Sequence, residues 1–411
     1  MLTVADATSP GPLRIGVIGL GIAGSAMIPA IVAHPNFLLA AVADPNQDLR
    51  ERFANDHVCA TVASAAELVD RADIDAVYVA TPHQMHREHV LLAADHGKHA
   101  IVEKPMALTL ADCDDMIGAA RRNRAALIVG HTHSFDPAVR GMRQILDSGE
   151  VGRPALIAMW QYCDFLYRPR RPEELDTELG GGIIFNQIPH QVDIARLLNG
   201  SKVTAVRAFT AILDSRRRTE GICSALLTFA DGGCASLVYN GYDRFDSDEF
   251  HGWVGELGQP KQADQHGATL RALESMRDGA ESDARIKRYG YGGALKFVAD
   301  QGHRWHQPHF GVIIVSCEKA DLKPSTDGIM IYGQEGVLEV PVPHSAGAPG
   351  RAEVLDELYL AVRKGVAPRH DGDFGRATLE VCLAILESAR TRREIELTAE
   401  PNASALVADF G

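Results

Sequence analysis

The sequence lacks the features that mark secreted, membrane-spanning or disulfide-stabilised proteins. Its 411 residues include seven cysteines, an odd number with no Cys-x-x-Cys spacing, so we expect free thiols in a reducing compartment. No apolar run approaches the roughly 18–20 residues of a membrane helix. The first ten residues contain neither a basic stretch nor an apolar core, and so do not predict a signal peptide. A cytoplasmic protein is therefore expected.

The chain is also short of positive charge. Its 41 lysines and arginines are outnumbered by 54 aspartates and glutamates, which gives a formal net charge of −13. Nucleic acid and anionic membranes are therefore not expected as partners. No internal repeat or low-complexity tract is present, and the length predicts two or three domains.

Residues 14–34 carry the first positive signal, a predicted strand followed by a glycine-rich turn and a helix. The run Ile15–Ile18 is typical of a buried strand, and an apolar helical pattern follows the turn. The turn reads G-x-G-x-x-G, in which the first glycine permits the tight bend, the second admits a pyrophosphate and the third lets helix and strand pack closely. The expected cofactor-binding residues here are Gly19, Gly21, Ile22, Ala23 and Gly24.

Asp44 predicts which dinucleotide this turn binds. It ends a second apolar strand, Phe37–Ala43, twenty residues after Gly24. An acidic side chain at this point accepts hydrogen bonds from the adenosine ribose hydroxyls. Pro45 and Asn46 follow instead of an arginine, and the carboxylate would repel a 2′-phosphate. We therefore expect NAD rather than NADP.

Strands alternate with helices up to about residue 130, which predicts an α/β fold with a parallel, doubly wound sheet in a domain spanning residues 12–133. Ligands bind such sheets beyond the C-terminal ends of the strands. Several side chains follow directly on predicted strands, and we expect them at the cofactor. These are Thr81, Pro82, His83, His86, Glu103, Lys104 and His131.

Residues 134–411 predict a second domain, of the α+β class. Runs of strand without intervening helices indicate a large, mostly antiparallel sheet with helices on one face. The polar, weakly patterned segment 243–309 is interpreted as an insertion. Residues 180–198 predict one helix behind a triple glycine, with Asn186, His190 and Asp193 on a single face.

Four motifs resemble the glucose–fructose oxidoreductase and inositol dehydrogenase (Gfo/Idh/MocA) family: the glycine turn, Thr81-Pro82-x-x-x-His86, Glu103-Lys104-Pro105, and the triple-glycine helix with His190. The resemblance covers nearly the whole chain except residues 243–309. It implies a Rossmann domain followed by a larger domain whose open sheet often mediates oligomerisation, so a homo-oligomer is expected. It also implies NAD(P)-dependent oxidation of a secondary alcohol, usually on a ring.

Lys104 and His190 are the expected catalytic residues. Lys104 ends a buried-type strand, and Pro105 after it fixes where its side chain points. An ammonium group there can hydrogen-bond the substrate hydroxyl and stabilise a developing alkoxide, and desolvation can lower its pKa. The resemblance implies that His190 accepts the proton, with Asp193 either orienting it or facing solvent.

Three features predict a negatively charged substrate. Asn186 stands where most relatives carry aspartate, which removes an anion and places more of the proton transfer on Lys104 and His190. Three arginines precede the triple glycine and can clamp carboxylates, although a solvated loop has the same pattern. The segment Gln161–Arg171 resembles that of family members acting on ring dihydrodiols. The expected substrate-binding residues are Gln161, Arg168, Arg170, Arg171 and Asn186. The expected substrate is an aromatic cis-dihydrodiol bearing two carboxylates.

Two other functions remain open from the residues alone. A sugar or inositol dehydrogenase would use the same Lys104 and His190, whereas a non-catalytic NAD-sensing regulator would need neither. The three-residue spacing of His303, His306 and His309 could suggest a metal, but no cysteine lies nearby and no metal site is expected.

Overall fold

The computed structural model describes residues 11–130, 132–277, 279–294, 305–343 and 350–397, which form two sheets with their covering helices. Within these ranges, no helix is both long and apolar enough to cross a membrane.

Six strands make up the first sheet: β1 (Leu13–Ile18), β2 (Phe37–Ala43), β3 (Ala60–Val62), β4 (Ala76–Val79), β5 (His99–Glu103) and β6 (Leu127–Gly130). Five helices alternate with them: α1 (Ile22–Ala33), α2 (Gln47–Asp56), α3 (Ala65–Val69), α4 (His86–Asp95) and α5 (Leu110–Arg122). All strand pairs are parallel, in the spatial order β3-β2-β1-β4-β5-β6. This is the order of a dinucleotide-binding Rossmann sheet, which confirms the predicted α/β class.

The strands at the centre of this sheet are almost wholly apolar because both of their faces are covered. Every residue of β4 and of β6 is buried. Local capping fixes where two of the helices begin. The side chains of Ser64 and Thr109 accept the backbone N–H groups of Glu67 and Asp112, and so start α3 and α5.

Nine strands make up the second sheet: β7 (Pro154–Tyr162), β8 (Val203–Ala211), β9 (Ile222–Phe229), β10 (Cys234–Asn240), β11 (Val312–Cys317), β12 (Ala320–Pro324), β13 (Gly328–Gly333), β14 (Gly336–Pro341) and β15 (Ile395–Glu396). Their spatial order is β14-β13-β12-β11-β7-β10-β9-β8-β15, and every pair is antiparallel except β7–β10. The mostly antiparallel sheet predicted from the sequence is therefore confirmed. The helices in this part of the chain are α6 (Pro137–Ser148), α7 (Gly182–Asn186), α8 (Ile188–Asn199), α9 (Ala268–Glu274), α10 (Glu281–Tyr289), α11 (Arg351–Lys364) and α12 (Gly372–Thr391).

The two faces of the nine-stranded sheet differ in character. Helices α6, α8 and α12 pack against one face and enclose the larger hydrophobic core. The other face, called the outer face below, carries Leu156, Trp160, Phe209 and Leu226, whose exposed fractions range from 38% to 61%. These apolar side chains alternate along their strands with buried ones, as expected for a sheet covered on one side.

The two C-terminal helices return to the first sheet. Val354, Leu355 and Leu358 of α11 share a core with residues of β1 and α1. Helix α12 contacts α5 and β6 as well as β8. We therefore propose two domains, residues 12–133 and 134–411, with one sheet in each. Helices α11 and α12 pack across the boundary between them.

The segment 180–198 forms two helices instead of the single helix expected. Helix α7 ends at Asn186, and Gln187 separates it from α8 with φ −121° and ψ −45°. Pro189 explains the break, because it has no N–H to bond to the carbonyl four residues earlier. Asn186 and His190 therefore lie on different helices, and the prediction that Asn186 shares a face with His190 and Asp193 is wrong.

Candidate active site

A cavity of about 1140 Å³ lies along the C-terminal ends of the parallel strands and reaches helix α8. Its volume exceeds the roughly 300–1,000 Å³ typical of a pocket for one small ligand. Gly21 and Asp44 line one part of it, and Lys104 and His190 line another. Residues of the segment 243–309 also line the wall, so this segment belongs to the site.

The glycine turn leaves room for a phosphate group. Gly19 has a positive φ of 104°, and a Cβ on Gly24 would come within 1.9 Å of the Gly19 carbonyl oxygen. A Cβ on Gly21 would meet no atom within 4 Å, so the turn is open at this point. Ile22 and Ala23 line the cavity beside it at the start of α1, where backbone amides attract phosphate.

Asp44 lies beside this turn, with its carboxylate fixed by backbone groups. One oxygen accepts the N–H of Leu20 at 2.7 Å and the other accepts the N–H of Asn46 at 2.8 Å. Arg50 donates from Nη1 to the carbonyl oxygen of Asp44 at 2.6 Å, so an arginine is close although none follows directly in the sequence. The turn and this carboxylate together fit the pyrophosphate and ribose of NAD.

Most residues expected at strand ends line the cavity, and one does not. Those on the wall are Thr81, Pro82, His83, Glu103 and Lys104. His86 is fully buried, with its ring nitrogens 3.0 Å from the carbonyl oxygens of Thr81 and Pro105. It holds these two loops together, which corrects its expected role as a direct cofactor contact. His131 lies outside the described residues.

Lys104 lies in the cavity wall with its ammonium group tied to α7. Its Nζ donates to the carbonyl oxygen of Asn186 at 2.5 Å. Burial lowers the pKa of Lys104, against the opposing charges of Glu103 and Glu256. The remaining Nζ hydrogens can donate to a substrate oxygen, and a lowered pKa suits proton exchange near neutral pH.

His190 lies on α8 and lines the same cavity. It is 5% exposed, and its ring centroid is 4.7 Å from that of His133 and 4.9 Å from that of Phe310. Asp193, expected to orient His190 or to face solvent, is fully buried and so does not face solvent. Burial raises the pKa of Asp193 to about 6.

His133 is a cavity residue that the sequence analysis missed. Its Nδ1 is 2.9 Å from a carboxylate oxygen of Asp136, and its Nε2 is 3.2 Å from one of Glu256. Burial alone would lower the pKa of His133, but the two carboxylates raise it to about 9. The His-x-x-Asp spacing, which begins three residues after β6, is a visible signal for the first pair. Glu256 is 123 residues away, in the polar segment, and has no local signal.

All three loop arginines already have carboxylate partners. The N–O distances are 2.8 Å for Arg168–Asp164, 3.7 Å for Arg168–Glu256, 3.1 Å for Arg171–Glu173 and 3.4 Å for Arg171–Glu174. All three arginines line the cavity, but ion pairs within the protein reduce what Arg168 and Arg171 can offer a substrate.

Arg170 is the most deeply buried of the three. Its guanidinium lies 3.7 Å above the Phe165 ring, and Nη2 donates to the Phe165 carbonyl oxygen at 2.8 Å. The Glu174 carboxylate is 3.6 Å from Nη1. Burial lowers the pKa of Arg170 to about 10, so it stays charged at neutral pH. Among the described residues, no group accepts a hydrogen bond from its buried Nε.

Asn186 and Gln161 also line the cavity, with side chains engaged by protein groups. The Asn186 amide donates to the carbonyl oxygen of Gly182 at 2.8 Å, and the Gln161 side-chain oxygen accepts from the Ser247 hydroxyl at 3.3 Å. Gly182 has φ +73°, and a Cβ there would lie 1.9 Å from the hydroxyl oxygen of Thr219. The triple-glycine turn that holds Asn186 therefore requires glycine at this position.

The spaced histidines do not come together in the described part of the chain. His306 pairs with Asp327 at 3.1 Å, and His309 lies 2.8 Å from the Val254 carbonyl oxygen. His303 is outside the described residues. In the ranges that the structure describes, no group of three or more His, Cys, Asp or Glu side chains could hold a metal ion.

Two family models match the chain. The model described as "Oxidoreductase family, NAD-binding Rossmann fold" covers residues 13–131. The model described as "GFO/IDH/MocA C-terminal domain" covers residues 139–258. The two matches together span more than half of the chain.

Individual relatives and solved structures agree with these matches. A 1-carboxy-3-chloro-3,4-dihydroxycyclohexa-1,5-diene dehydrogenase from Comamonas testosteroni is 40% identical over 384 residues, which is 92% of this chain and 95% of that protein. The crystal structure of a protein from Bordetella bronchiseptica RB50, provisionally called a dehydrogenase, is 48% identical with a TM-score of 0.89, over 94% of this chain and 100% of that one. A levoglucosan dehydrogenase in complex with NADH and levoglucosan shares the fold, with a TM-score of 0.71 and 17% identity over 94% of this chain and 99% of that one.

Proposed function

Because the chain belongs to the Gfo/Idh/MocA family of NAD-binding oxidoreductases, we propose that it oxidises a cis-dihydrodiol of a carboxylated ring. The specific candidate is phthalate 4,5-cis-dihydrodiol, whose oxidation product is 4,5-dihydroxyphthalate. The observation that carries the proposal is the buried, charged Arg170 in the cavity wall, whose Nε has no acceptor among the described residues. The Comamonas relative supports it, because that protein's name describes a carboxylated cyclohexadiene diol.

Arg170 and the catalytic pair belong to one region of the cavity. The charge of Arg170 acts on Lys104, and both side chains line the wall with His190. We propose that a ring whose hydroxyl lies at Lys104 directs a carboxylate towards Arg170. A guanidinium binds carboxylates through charge-assisted hydrogen bonds.

The proposed reaction removes a hydride and a proton from one secondary alcohol group of the ring. The glycine turn and Asp44 would hold NAD⁺, which would supply the hydride acceptor. Lys104 donates a hydrogen bond to the reacting hydroxyl oxygen, and His190 accepts the hydroxyl proton as the carbonyl forms. The Asn186 carbonyl oxygen fixes Lys104 for this role. The resulting hydroxy-ketone tautomerises to a catechol, so aromatisation favours the oxidation.

The charge of the substrate is tested with a panel of ring alcohols. We expect kcat/KM to be highest for the dicarboxylated cis-dihydrodiol, lower for a monocarboxylated analogue, and lowest for a neutral cis-diol and myo-inositol. Arg170→Gln should raise KM for the diacid about ten- to a hundredfold, since a hydrogen bond to a charged group is worth about 1.5–3 kcal/mol. It should change KM for the neutral diol little.

Arg216→Gln is the matched control, because Arg216 is exposed and pairs with Asp214 outside the cavity. It should leave KM for every substrate unchanged. Faster turnover of uncharged polyols would refute the carboxylated substrate and favour a sugar or inositol dehydrogenase, while the assignment to the dehydrogenase family would stand.

The catalytic roles are tested by removing each side chain. Lys104→Ala and His190→Ala should each lower kcat by about a hundredfold or more, because each removes a proton-transfer group. NAD affinity, measured by titration, should change no more than a few-fold. If the two residues serve one proton path, kcat of the double variant should fall by a smaller factor than the product of the two single-variant factors. A variant with nearly normal kcat would remove that residue from the mechanism.

A further inference from the structure

The cavity wall beside His190 contains a cation that the proposed chemistry does not use. His133 lies in a short turn after β6, is 4% exposed, and is flanked by two carboxylates. Its Nδ1 is 2.9 Å from Asp136 and its Nε2 is 3.2 Å from Glu256. A neutral imidazole carries one N–H, so donating to both carboxylates requires the imidazolium form.

We infer that His133, held between Asp136 and Glu256, is a positioning residue whose fixed positive charge keeps His190 in the neutral form that accepts the substrate proton. The inference rests on the proposed function only in taking His190 as the proton acceptor. It also gives Glu256, and so the segment 243–309, a role besides lining the cavity, which is to hold the charged His133 in place.

The ring geometry brings this charge next to His190. The two imidazole centroids are 4.7 Å apart with an interplanar angle of 83°, and both rings pack against Phe310 at 4.8 and 4.9 Å. Two like charges at this separation in a buried wall oppose each other strongly. A charge on His133 therefore makes protonation of His190 less favourable than a neutral side chain at the same position would, so His190 can accept a proton at lower pH.

The other charged groups around His190 are arranged in pairs. Arg168 is paired with Asp164 at 2.8 Å and is 3.7 Å from the far oxygen of Glu256. Glu256 therefore lies between Arg168 and His133. Burial alone would raise the pKa of Glu256, but the two cations lower it to about 2. Other titratable groups among the described residues near this wall include Lys104 at the end of β5, Cys163, Arg351 and His309, with Asp193 one turn along α8 and Tyr239 on β10.

The same geometry excludes His133 as the proton acceptor itself. Both of its nitrogens are turned towards carboxylates, so no lone pair is available for a substrate hydroxyl. The charge state also persists across the working range, because the carboxylates raise the pKa of His133 to about 9 after the opposing effect of burial.

The test is the pH dependence of kcat/KM with saturating NAD, measured on the full-length enzyme. His133→Asn removes the positive charge and should move the acidic limb to higher pH by about one unit, because His190 then protonates more readily. Glu256→Gln removes a negative charge while Asp136 still holds His133, and should move the same limb to lower pH. The two shifts have opposite signs, which a general loss of structure would not produce.

Phe310→Leu is the packing control. It loosens the wall that both histidines share without changing any charge, so it should lower kcat without moving the limb. If His133→Asn does not fold, the downward shift in Glu256→Gln decides the question alone. An acidic limb that stays in place in both charge variants, or that moves in the reverse directions, overturns the inference.

The failure of this inference is distinguishable from failure of the proposed function. If His190→Ala keeps nearly normal activity, the proton-acceptor assignment falls, whatever the limb does. If His190→Ala is inactive and the limb still does not move in the charge variants, only the role of His133 falls.

Discussion

The carboxylate of Asp44 is held in a position where its charge can discriminate between NAD and NADP. Both of its oxygens accept backbone N–H groups, from Leu20 and Asn46, so the charge is fixed beside the glycine turn. The chain uses NAD, and we expect a clear preference for NAD over NADP because this charge repels a 2′-phosphate. Asp44→Asn keeps the side-chain shape and removes the charge, so it should raise kcat/KM for NADP and lower it for NAD.

The measurement is kcat/KM with both cofactors for the wild type, Asp44→Asn and Asp44→Ala. The alanine variant also removes the acceptors of two backbone N–H groups, and should lose stability as well as selectivity. Equal or better efficiency of the wild type with NADP would contradict this account of Asp44.

Residues that directly follow a strand could be placed from the sequence, and residues brought in by long-range packing could not. Asp44 and Lys104 both line the cavity, because parallel strands end at one edge of their sheet. His133 follows β6 by three residues and was open to the same reasoning. Glu256 was not, because its position depends on how a polar segment without strong periodicity packs against the finished sheets. His86 also lies beyond the end of a parallel strand, but its side chain is buried against the carbonyl oxygens of Thr81 and Pro105.

Helix α1 depends on one close contact with the glycine turn. Gly24→Ala would bring a Cβ within 1.9 Å of the Gly19 carbonyl oxygen, so the helix must move away from β1. We expect a loss of about 1–3 kcal/mol in the free energy of unfolding and a weaker affinity for NAD. Urea unfolding and NAD titration measure the two effects.

Gly118→Ala is the matched control for this substitution. Gly118 also lies inside a helix, but its added Cβ would meet only the flexible end of Arg122, at 3.1 Å. This variant should be neutral or more stable by up to about 1 kcal/mol, because alanine favours helices. If both variants behave alike, the close contact at Gly24 does not limit the fold.

The elements themselves followed from the sequence where the hydrophobic pattern was strong. Strand β2 has the predicted bounds Phe37–Ala43. Strand β12 was not predicted, because Asp321, Lys323 and Pro324 obscure its alternation. The break at Gln187 was missed although Pro189 signals it, since proline is favoured in the first turn of a helix and not in its interior.

The described part of the segment 243–309 contacts both halves of the molecule. At one end of α10, Glu281 accepts from the Arg217 guanidinium at 3.0 Å. Just beyond the other end, the Tyr291 backbone N–H donates to the Leu20 carbonyl oxygen at 3.1 Å, and its ring packs edge-on against Phe53. This segment, identified as an insertion from its composition alone, therefore contacts both the second domain and the glycine turn. Its polar sequence did not indicate these contacts.

The outer face of the nine-stranded sheet predicts how whole molecules assemble. Leu156, Trp160, Phe209 and Leu226 expose apolar surface on one side of the sheet, and such contiguous patches are typical of interfaces. We expect a homo-oligomer that buries this face. The double variant Trp160→Lys with Leu226→Lys should dissociate it at micromolar concentration, because two unpaired charges per subunit would be buried in the interface.

Light scattering after size-exclusion chromatography measures the mass of each variant in solution. Val58→Lys is the control, because Val58 is a fully exposed apolar residue on the first domain, away from the outer face. It should leave the assembly intact, so that only the position of the added charge distinguishes it from the double variant. A monomeric wild type, or a double variant that keeps the wild-type mass, would show that the outer face stays in contact with water.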